Sequence, residues 1–307
     1  MAIAPRFSII IPTYNYGRYV GRAIASALSQ SGGNFETLVV DDGSTDDTPQ
    51  VVQSFGQRVH YRRHENRGAA ATRNRGADLA DGDWLLFLDA DDRLLPGALD
   101  RFRHAVREHP AARMIFGHHV SVSEDGRRRE STPQPRLSGP LTNFRDFVDR
   151  KFGIAHGTAI LHRDVFGRLK YPSGITNGED IVLFAQTLAL FECATFPHPT
   201  AEIHAHPGRM RNNVDAFLAT GLQTVDALFR ADVLPPDAMR LRRLFECRRH
   251  LSLARSLYKA GRYPESRHCY LQALRSDWRR AISWTNAGRF LKTTFRVSRS
   301  RESRRAA

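Results

Sequence analysis

The sequence predicts an α/β fold, a mostly parallel sheet with helices on both faces, followed by a smaller helical region. Three observations carry this. Short apolar, β-branched runs alternate with helical patterns through the first hundred residues. Three of those runs end in polar clusters: Thr13-Tyr14-Asn15, Asp41-Asp42 and Asp89-Ala90-Asp91-Asp92. The charge is also divided: residues 1–207 hold 24 basic and 24 acidic residues, and residues 208–307 hold 22 basic and 8 acidic. The whole net charge of +14 therefore lies in the last hundred residues. The expected divisions are a catalytic-size α/β domain over 1–207, a basic helical region over 208–295 and a Ser/Arg-rich disordered tail over 296–307.

Each element has its own signal. Residues 7–11, Phe-Ser-Ile-Ile-Ile, stop at Pro12 and read as a buried strand. Tyr19, Val20, Ala23, Ile24, Ala27 and Leu28 follow at helical spacing, and Gly32-Gly33 stops that helix. Residues 37–40 are a second strand, and Ser44 or Thr48 can cap the helix that runs to about Phe55. A weaker strand follows at 59–61, an Ala-rich helix at 69–80 and a fourth strand at 84–88. Pro96 suits the first turn of a helix ending near Glu108. Beyond it, 114–122 and 159–161 read as strands, 127–140 as a loop and 181–190 as a buried helix. Leu241, Leu244, Phe245, Arg248, Leu251, Ala254, Leu257 and Tyr258 keep a helical stripe. Gly261 and Pro264 then separate two helices of a hairpin.

Composition excludes several classes. A 41% hydrophobic content is enough for a core and argues against wholesale disorder. Three widely spaced cysteines, Cys193, Cys247 and Cys269, cannot build a disulfide framework or a Cys-rich zinc site, which points to a reducing compartment. The first residues lack the apolar run of a signal peptide, and no apolar stretch reaches the roughly 18 residues of a membrane span. A cytoplasmic location is expected.

In a parallel sheet, ligands bind beyond the carboxyl ends of the strands, which is where the three polar clusters fall. Asp89 and Asp91 alternate on a strand end, so both carboxylates can face one ligand. Paired carboxylates suit a hard divalent cation, Mn²⁺ or Mg²⁺, that also takes phosphate oxygens. Asp92 reads equally well as a cap of the next helix. Asp41-Asp42 can accept from a base or ribose, or cap a helix. Tyr14 can stack on a base. Glu179-Asp180 precedes an apolar helix and can cap it or serve its dipole.

Together these segments resemble family 2 glycosyltransferases of the GT-A fold. The resemblance rests on Phe7-Ser-Ile-Ile-Ile-Pro-Thr-Tyr-Asn15, on Leu38-Val-Val-Asp-Asp-Gly-Ser-Thr-Asp46 and on Asn66-Arg-Gly68 with Ala71-Thr-Arg-Asn-Arg-Gly76. It also rests on Gly82-Asp-Trp-Leu-Leu-Phe-Leu-Asp-Ala-Asp-Asp92, Gly178-Glu179-Asp180 and the segment beginning at His206. It covers about two-thirds of the chain and implies transfer of a sugar from a UDP- or dTDP-type nucleotide sugar to a glycan or lipid-linked acceptor. By that resemblance Pro12, Thr13, Tyr14, Asn15, Asp41 and Asp42 line the nucleotide pocket. Arg67 or Arg73 neutralises the base edge or diphosphate, Asp89 and Ala90 border the donor, and Asp91, Asp89 and His206 surround the metal. Asp180 matches the catalytic base, with Glu179 beside it to raise its pKa by like-charge repulsion.

Three other classes fit less well. An inactive binding protein on the same fold would not need both acidic motifs. A sugar-nucleotide nucleotidyltransferase would favour a Gly-rich phosphate loop where this chain has Asn15-Tyr16-Gly17-Arg18. Nucleic-acid binding through the basic C-terminal region lacks any recognisable module. That region instead suits peripheral contact with an anionic membrane surface. From residue 275 onward it has ten basic and two acidic residues, interleaved with Trp278, Ile282, Trp284, Phe290, Leu291 and Phe295.

Overall fold

β1 (Phe7–Thr13) is sealed on both faces, with Phe7 through Ile11 completely buried. It is an interior strand of a nine-stranded sheet in a computed structural model that describes residues 5–206, 215, 218 and 220–282. The chain continues through α1 (Gly17–Leu28), β2 (Phe35–Asp41), α2 (Thr48–Gln53), β3 (His60–Arg63), α3 (Ala69–Leu79) and β4 (Trp84–Phe87). It then forms β5 (Arg93–Leu94), α4 (Ala98–Glu108), β6 (Met114–Val122), β7 (Arg128–Glu130), α5 (Pro140–Val148), β8 (Ala159–His162) and α6 (Arg163–Arg168). Next come α7 (Glu179–Leu190), β9 (Cys193–His204), α8 (Gln223–Leu228), α9 (Pro236–Met239), α10 (Arg242–Lys259) and α11 (Tyr263–Ala281).

The strand order is β3-β2-β1-β4-β8-β6-β9-β5, with β7 paired to β6. β1 to β4 are mutually parallel, and β8 is antiparallel to both β4 and β6. Register sets the site: Thr13 lies opposite Asp41, and Ile10 opposite Phe87. Three carboxyl ends therefore emerge side by side. Alternation along β1 divides the core, with Ile10 joining one cluster and Ile9 and Ile11 the other. α3 approaches β1 so closely that a Cβ on Gly76 would lie 2.5 Å from Ile10 Cγ2. Only glycine fits there.

Several elements differ from the sequence reading. Pro96 lies before α4 rather than in its first turn, because Gly97 takes a left-handed φ of +71° and the helix starts after it. The expected loop at 127–140 contains β7, and Pro140 opens α5. The twelve residues of β9 hold Pro197 and Pro199, which break its alternation, and the β6–β9 register shifts on either side of His118.

α10 and α11 run antiparallel: Ser266 Oγ donates to the Ala254 carbonyl, and Cys247 Sγ to that of Asp277. Asp149, just after α5, accepts from Arg248 at 2.7 Å and Arg280 at 2.6 Å, tying both helices of the hairpin to the sheet domain. Val225, Leu228, Leu244 and Phe245 share a core cluster with Ile10, Phe87 and Phe184. No helix among the described residues is long and apolar enough to cross a membrane. Residues 207–212, the whole of the expected tail and Trp284, Phe290, Leu291 and Phe295 lie outside the described residues.

Candidate functional site

The loops after β1 and β2 are fastened together. Asn15 takes a left-handed φ of 55°, which lets its amide donate to Ser44 Oγ at 2.9 Å and its side-chain oxygen accept from the Thr45 amide at 2.8 Å. The Gly17 amide donates to Asp46, and the Tyr16 amide to Thr48 Oγ1. Pro12 and Thr13 sit within this junction, while Tyr14 projects outward, 44% exposed.

The two aspartates after β2 have different tasks. Asp41 is fully buried; it accepts from the Tyr61 hydroxyl at 2.5 Å and the Ser44 amide at 2.8 Å. Burial and this carboxylate both push the Tyr61 hydroxyl up. Asp42 grips the entrance to α3, accepting from the Arg67 amide at 2.7 Å and the Gly68 amide at 2.9 Å. The Arg67 side chain is left exposed.

β4 delivers the acidic cluster. Its extension is fixed by the Leu88 amide on the Ile10 carbonyl at 2.9 Å, and a tight turn follows with the Asp92 amide on the Asp89 carbonyl. Carboxylate oxygens of Asp89, Asp91 and Asp92 all lie within 4.8 Å of one another. Ala90, between them, is buried on the α1 and α4 side. Asp92 does not cap the next helix; it accepts from the His204 amide at 2.9 Å. Asp91 meets His206 Nε2 at 2.8 Å, and the His206 ring stacks on Tyr19 with centroids 4.7 Å apart. Three hard oxygen donors beside one imidazole fit a divalent cation of the Mg²⁺ or Mn²⁺ type.

Arg73, only 7% exposed, joins this cluster to the second acidic motif. It donates to Asp89 at 2.9 Å and to Glu179 at 2.7 Å, and its guanidinium carbon lies 5.6 Å from the Tyr171 ring centre. His156 approaches Asp89 with Nδ1 at 3.4 Å and contacts the Tyr171 hydroxyl with Nε2 at 3.1 Å. Burial works to raise the Asp89 carboxyl, but His156 and Arg73 hold it well below the usual carboxylate range. Asn74, next to Arg73, pins Tyr171 by bonding its amide and carbonyl, each at 2.9 Å.

Glu179 and Asp180 open α7 behind Gly178, whose φ is +94°. Burial and the neighbouring Glu179 push the Asp180 carboxyl up, against the opposing pull of His156 and Arg73. His156, Tyr171 and Tyr19 are the participants that sequence reasoning did not assign. His118 is fully buried and meets Glu130 at 2.7 Å, on β6 and β7 rather than at the acidic strand end.

The sequence profile described as Glycosyl transferase family 2 matches residues 8–169. The PGL/p-HBAD biosynthesis glycosyltransferase of Mycobacterium bovis is 39% identical over 178 residues, covering 54% of this chain and 62% of that protein. An uncharacterized glycosyltransferase of Rickettsia conorii is 33% identical over 183 residues, covering 58% of this chain and 29% of that protein. The chain thus spans less than two-thirds of these relatives' lengths. S. aureus TarS 1–349 in complex with UDP-GlcNAc shares the fold at a TM-score of 0.65 and 20% identity, over 88% of this chain and 81% of that one. The mannosyltransferase PcManGT from Pyrobaculum calidifontis, in complex with GDP-Man and Mn²⁺, does so at 0.60 and 19% identity, over 97% and 81%. The architecture is that of the GT-A fold.

Proposed function

The chain belongs to glycosyl transferase family 2, and from that premise we propose that it catalyses inverting, metal-dependent transfer of a sugar from a nucleoside-diphosphate sugar to an acceptor hydroxyl. The carrying observation is that Arg73 links the Asp89-Ala90-Asp91 strand end to Glu179-Asp180, so both acidic motifs belong to one network. TarS with UDP-GlcNAc and PcManGT with GDP-Man support the donor class.

Tyr14 stacks on the base, and the junction of Pro12, Thr13 and Asn15 with the Asp41-Asp42 turn shapes the nucleoside pocket. Asp42 acts there in part by holding the Arg67-Gly68 backbone. Asp91 and His206 are the first candidates to hold Mn²⁺ or Mg²⁺, with Asp89 behind them, because Asp89 is already charge-paired with Arg73. A cation bound there supplies Lewis-acid stabilisation of the leaving diphosphate.

Asp180 takes the proton of the acceptor hydroxyl as its oxygen bonds to the anomeric carbon and the bond to the diphosphate breaks. A single base and direct displacement invert the anomeric centre. Its raised pKa makes Asp180 a stronger base than an exposed aspartate. The acceptor class is a glycan or lipid-linked saccharide, and the basic C-terminal region holds the enzyme at the inner membrane surface, where Trp278 and Ile282 are 59% and 58% exposed.

A thermal-shift screen of UDP-, dTDP- and GDP-sugars with Mn²⁺ tests the reading, since a ligand of the native state raises the midpoint. Stabilisation by one donor, followed by its turnover and loss of both in Asp91→Ala, supports the proposal. Turnover unchanged in Asp91→Ala overturns the metal assignment.

A further inference from the structure

We propose that Arg249, on the C-terminal helix α10, is a positioning residue for Asp180, so that the hairpin is part of the catalytic apparatus. The inference rests on the reading of Asp180 as the base.

Arg249 is 5% exposed, although it sits in an arginine-rich helix whose other cations are more accessible. Burying a guanidinium is costly unless its fork is satisfied. Its fork is directed at the two segments that frame the start of α7. Nη2 donates to the Asn177 carbonyl at 3.3 Å and to Thr224 Oγ1 at 3.2 Å, and Nε donates to the Gly221 carbonyl at 3.3 Å. Thr224 is itself completely buried. The Asn177 carbonyl belongs to the peptide that leads into Gly178, and Glu179 and Asp180 follow immediately. One cation from the far end of the chain thus clamps the turn that aims both carboxylates.

Gly178 completes the arrangement. Its φ of +94° disfavours any side chain, and a Cβ there would reach within 3.5 Å of Thr224 Cγ2 and 3.6 Å of Arg249 Nη1. Turn, threonine and guanidinium are in mutual contact distance. Burial, together with repulsion from Arg150, lowers the Arg249 pKa to about 10, and Asp180 opposes the shift. Arg249 therefore stays charged at neutral pH. A base must be held to within a fraction of an ångström of its productive position. A loosened turn costs turnover more than donor affinity, because the donor-side contacts of Tyr14, Asp42 and Asp91 lie elsewhere.

The test compares Arg249→Met, Arg249→Lys, Asp180→Asn and the double variant Arg249→Met/Asp180→Asn in the full chain. Amide hydrogen exchange is the arm that needs no substrate. Residues 177–182 are expected to lose protection at least tenfold in Arg249→Met, with β1 and β4 amides unchanged and partial recovery in Arg249→Lys. The second arm is release of nucleoside diphosphate from UDP-GlcNAc or GDP-mannose, normalised to donor-binding stoichiometry. Arg249→Met is expected to lower kcat 10- to 100-fold with donor KM within twofold, and to add nothing in the Asp180→Asn background. Unchanged exchange at 177–182, or an equal factor in both backgrounds, overturns the proposal. Full turnover by Asp180→Asn alone removes the base assignment and leaves the exchange result to decide whether Arg249 holds the turn.

Discussion

Arg73 and Glu179 meet at 2.7 Å across 106 residues of chain, and the same guanidinium reaches Asp89 at 2.9 Å. Both partners of the first pair are less than a tenth exposed. Removing the cation leaves the buried Glu179 carboxylate without its charge partner and Asp89 with His156 alone, and breaking such a buried pair costs about 3–5 kcal/mol. Arg73→Met is therefore expected to unfold at clearly lower urea and to lose activity. Arg73→Lys recovers only part of both, since one ammonium cannot span two carboxylates as a planar fork does. An unchanged urea midpoint in Arg73→Met would show that the bridge contributes nothing to stability.

Much of this site is legible in the sequence because parallel register does the assembling. Once β1, β2 and β4 are recognised as neighbours, Thr13, Asp41 and Asp89 must emerge together. What escapes is whatever depends on tertiary approach. Tyr19 lies in the apolar stripe of α1 and is indistinguishable from core until His206 is seen stacked on it. His156 lies in an aperiodic stretch, and only the fold brings it to Asp89 and Tyr171. Arg249 looks like its neighbours Arg242, Arg243 and Arg248; burial alone separates it. β9 escapes for a local reason: Pro197 and Pro199 interrupt the alternation that marks a strand.

The raised pKa of Asp180 has a definite sign in both activity and stability. Burial and Glu179 disfavour the ionised form, so the folded pKa lies above the ordinary 3.8. Activity is expected to fall on the acid side as pH drops through that raised value. For stability, ionised Asp180 is a penalty that grows above the unfolded pKa and is fully present above the folded one. Asp180→Asn should thus be more stable than the parent at neutral pH, and the gain should shrink as pH falls through the folded pKa. Urea unfolding from pH 4 to 8 reads this. A loss of stability at neutral pH would instead mark Asp180 as a helix cap.

Asp91 and His206 are paired at 2.8 Å, and neither is more than a tenth exposed. If they hold the cation, Asp91→Ala should weaken Mn²⁺ binding most strongly. His206→Ala should weaken it by about 10–100-fold, the usual scale for a ligand or its supporting partner. Isothermal titration with Mn²⁺ in the presence of nucleoside diphosphate measures both. Chelation should abolish turnover, and added Mn²⁺ should restore it. Equal Mn²⁺ affinity in Asp91→Ala would move the cation to Asp89 and Asp92.

The basic C-terminal region is the last element with an expected partner. α11 carries a non-helical residue at Asp277, and beyond it Trp278 and Ile282 stand exposed, with the Arg279 guanidinium carbon 5.5 Å from the Trp278 ring centre. An indole backed by a cation is the pairing that inserts at a lipid interface while its charge stays at the headgroups. Each arginine near an anionic surface adds about 1 kcal/mol, and the attraction is screened by salt. Cosedimentation with phosphatidylserine vesicles should therefore be strong at low salt and weaken steadily as salt rises. Trp278→Ala with Ile282→Ser should reduce binding at every salt concentration, because it removes the inserted surface and not the charge. A chain ending at Asp277 should lose both contributions. Undiminished binding by that shortened chain would assign the basic tail a role away from the membrane.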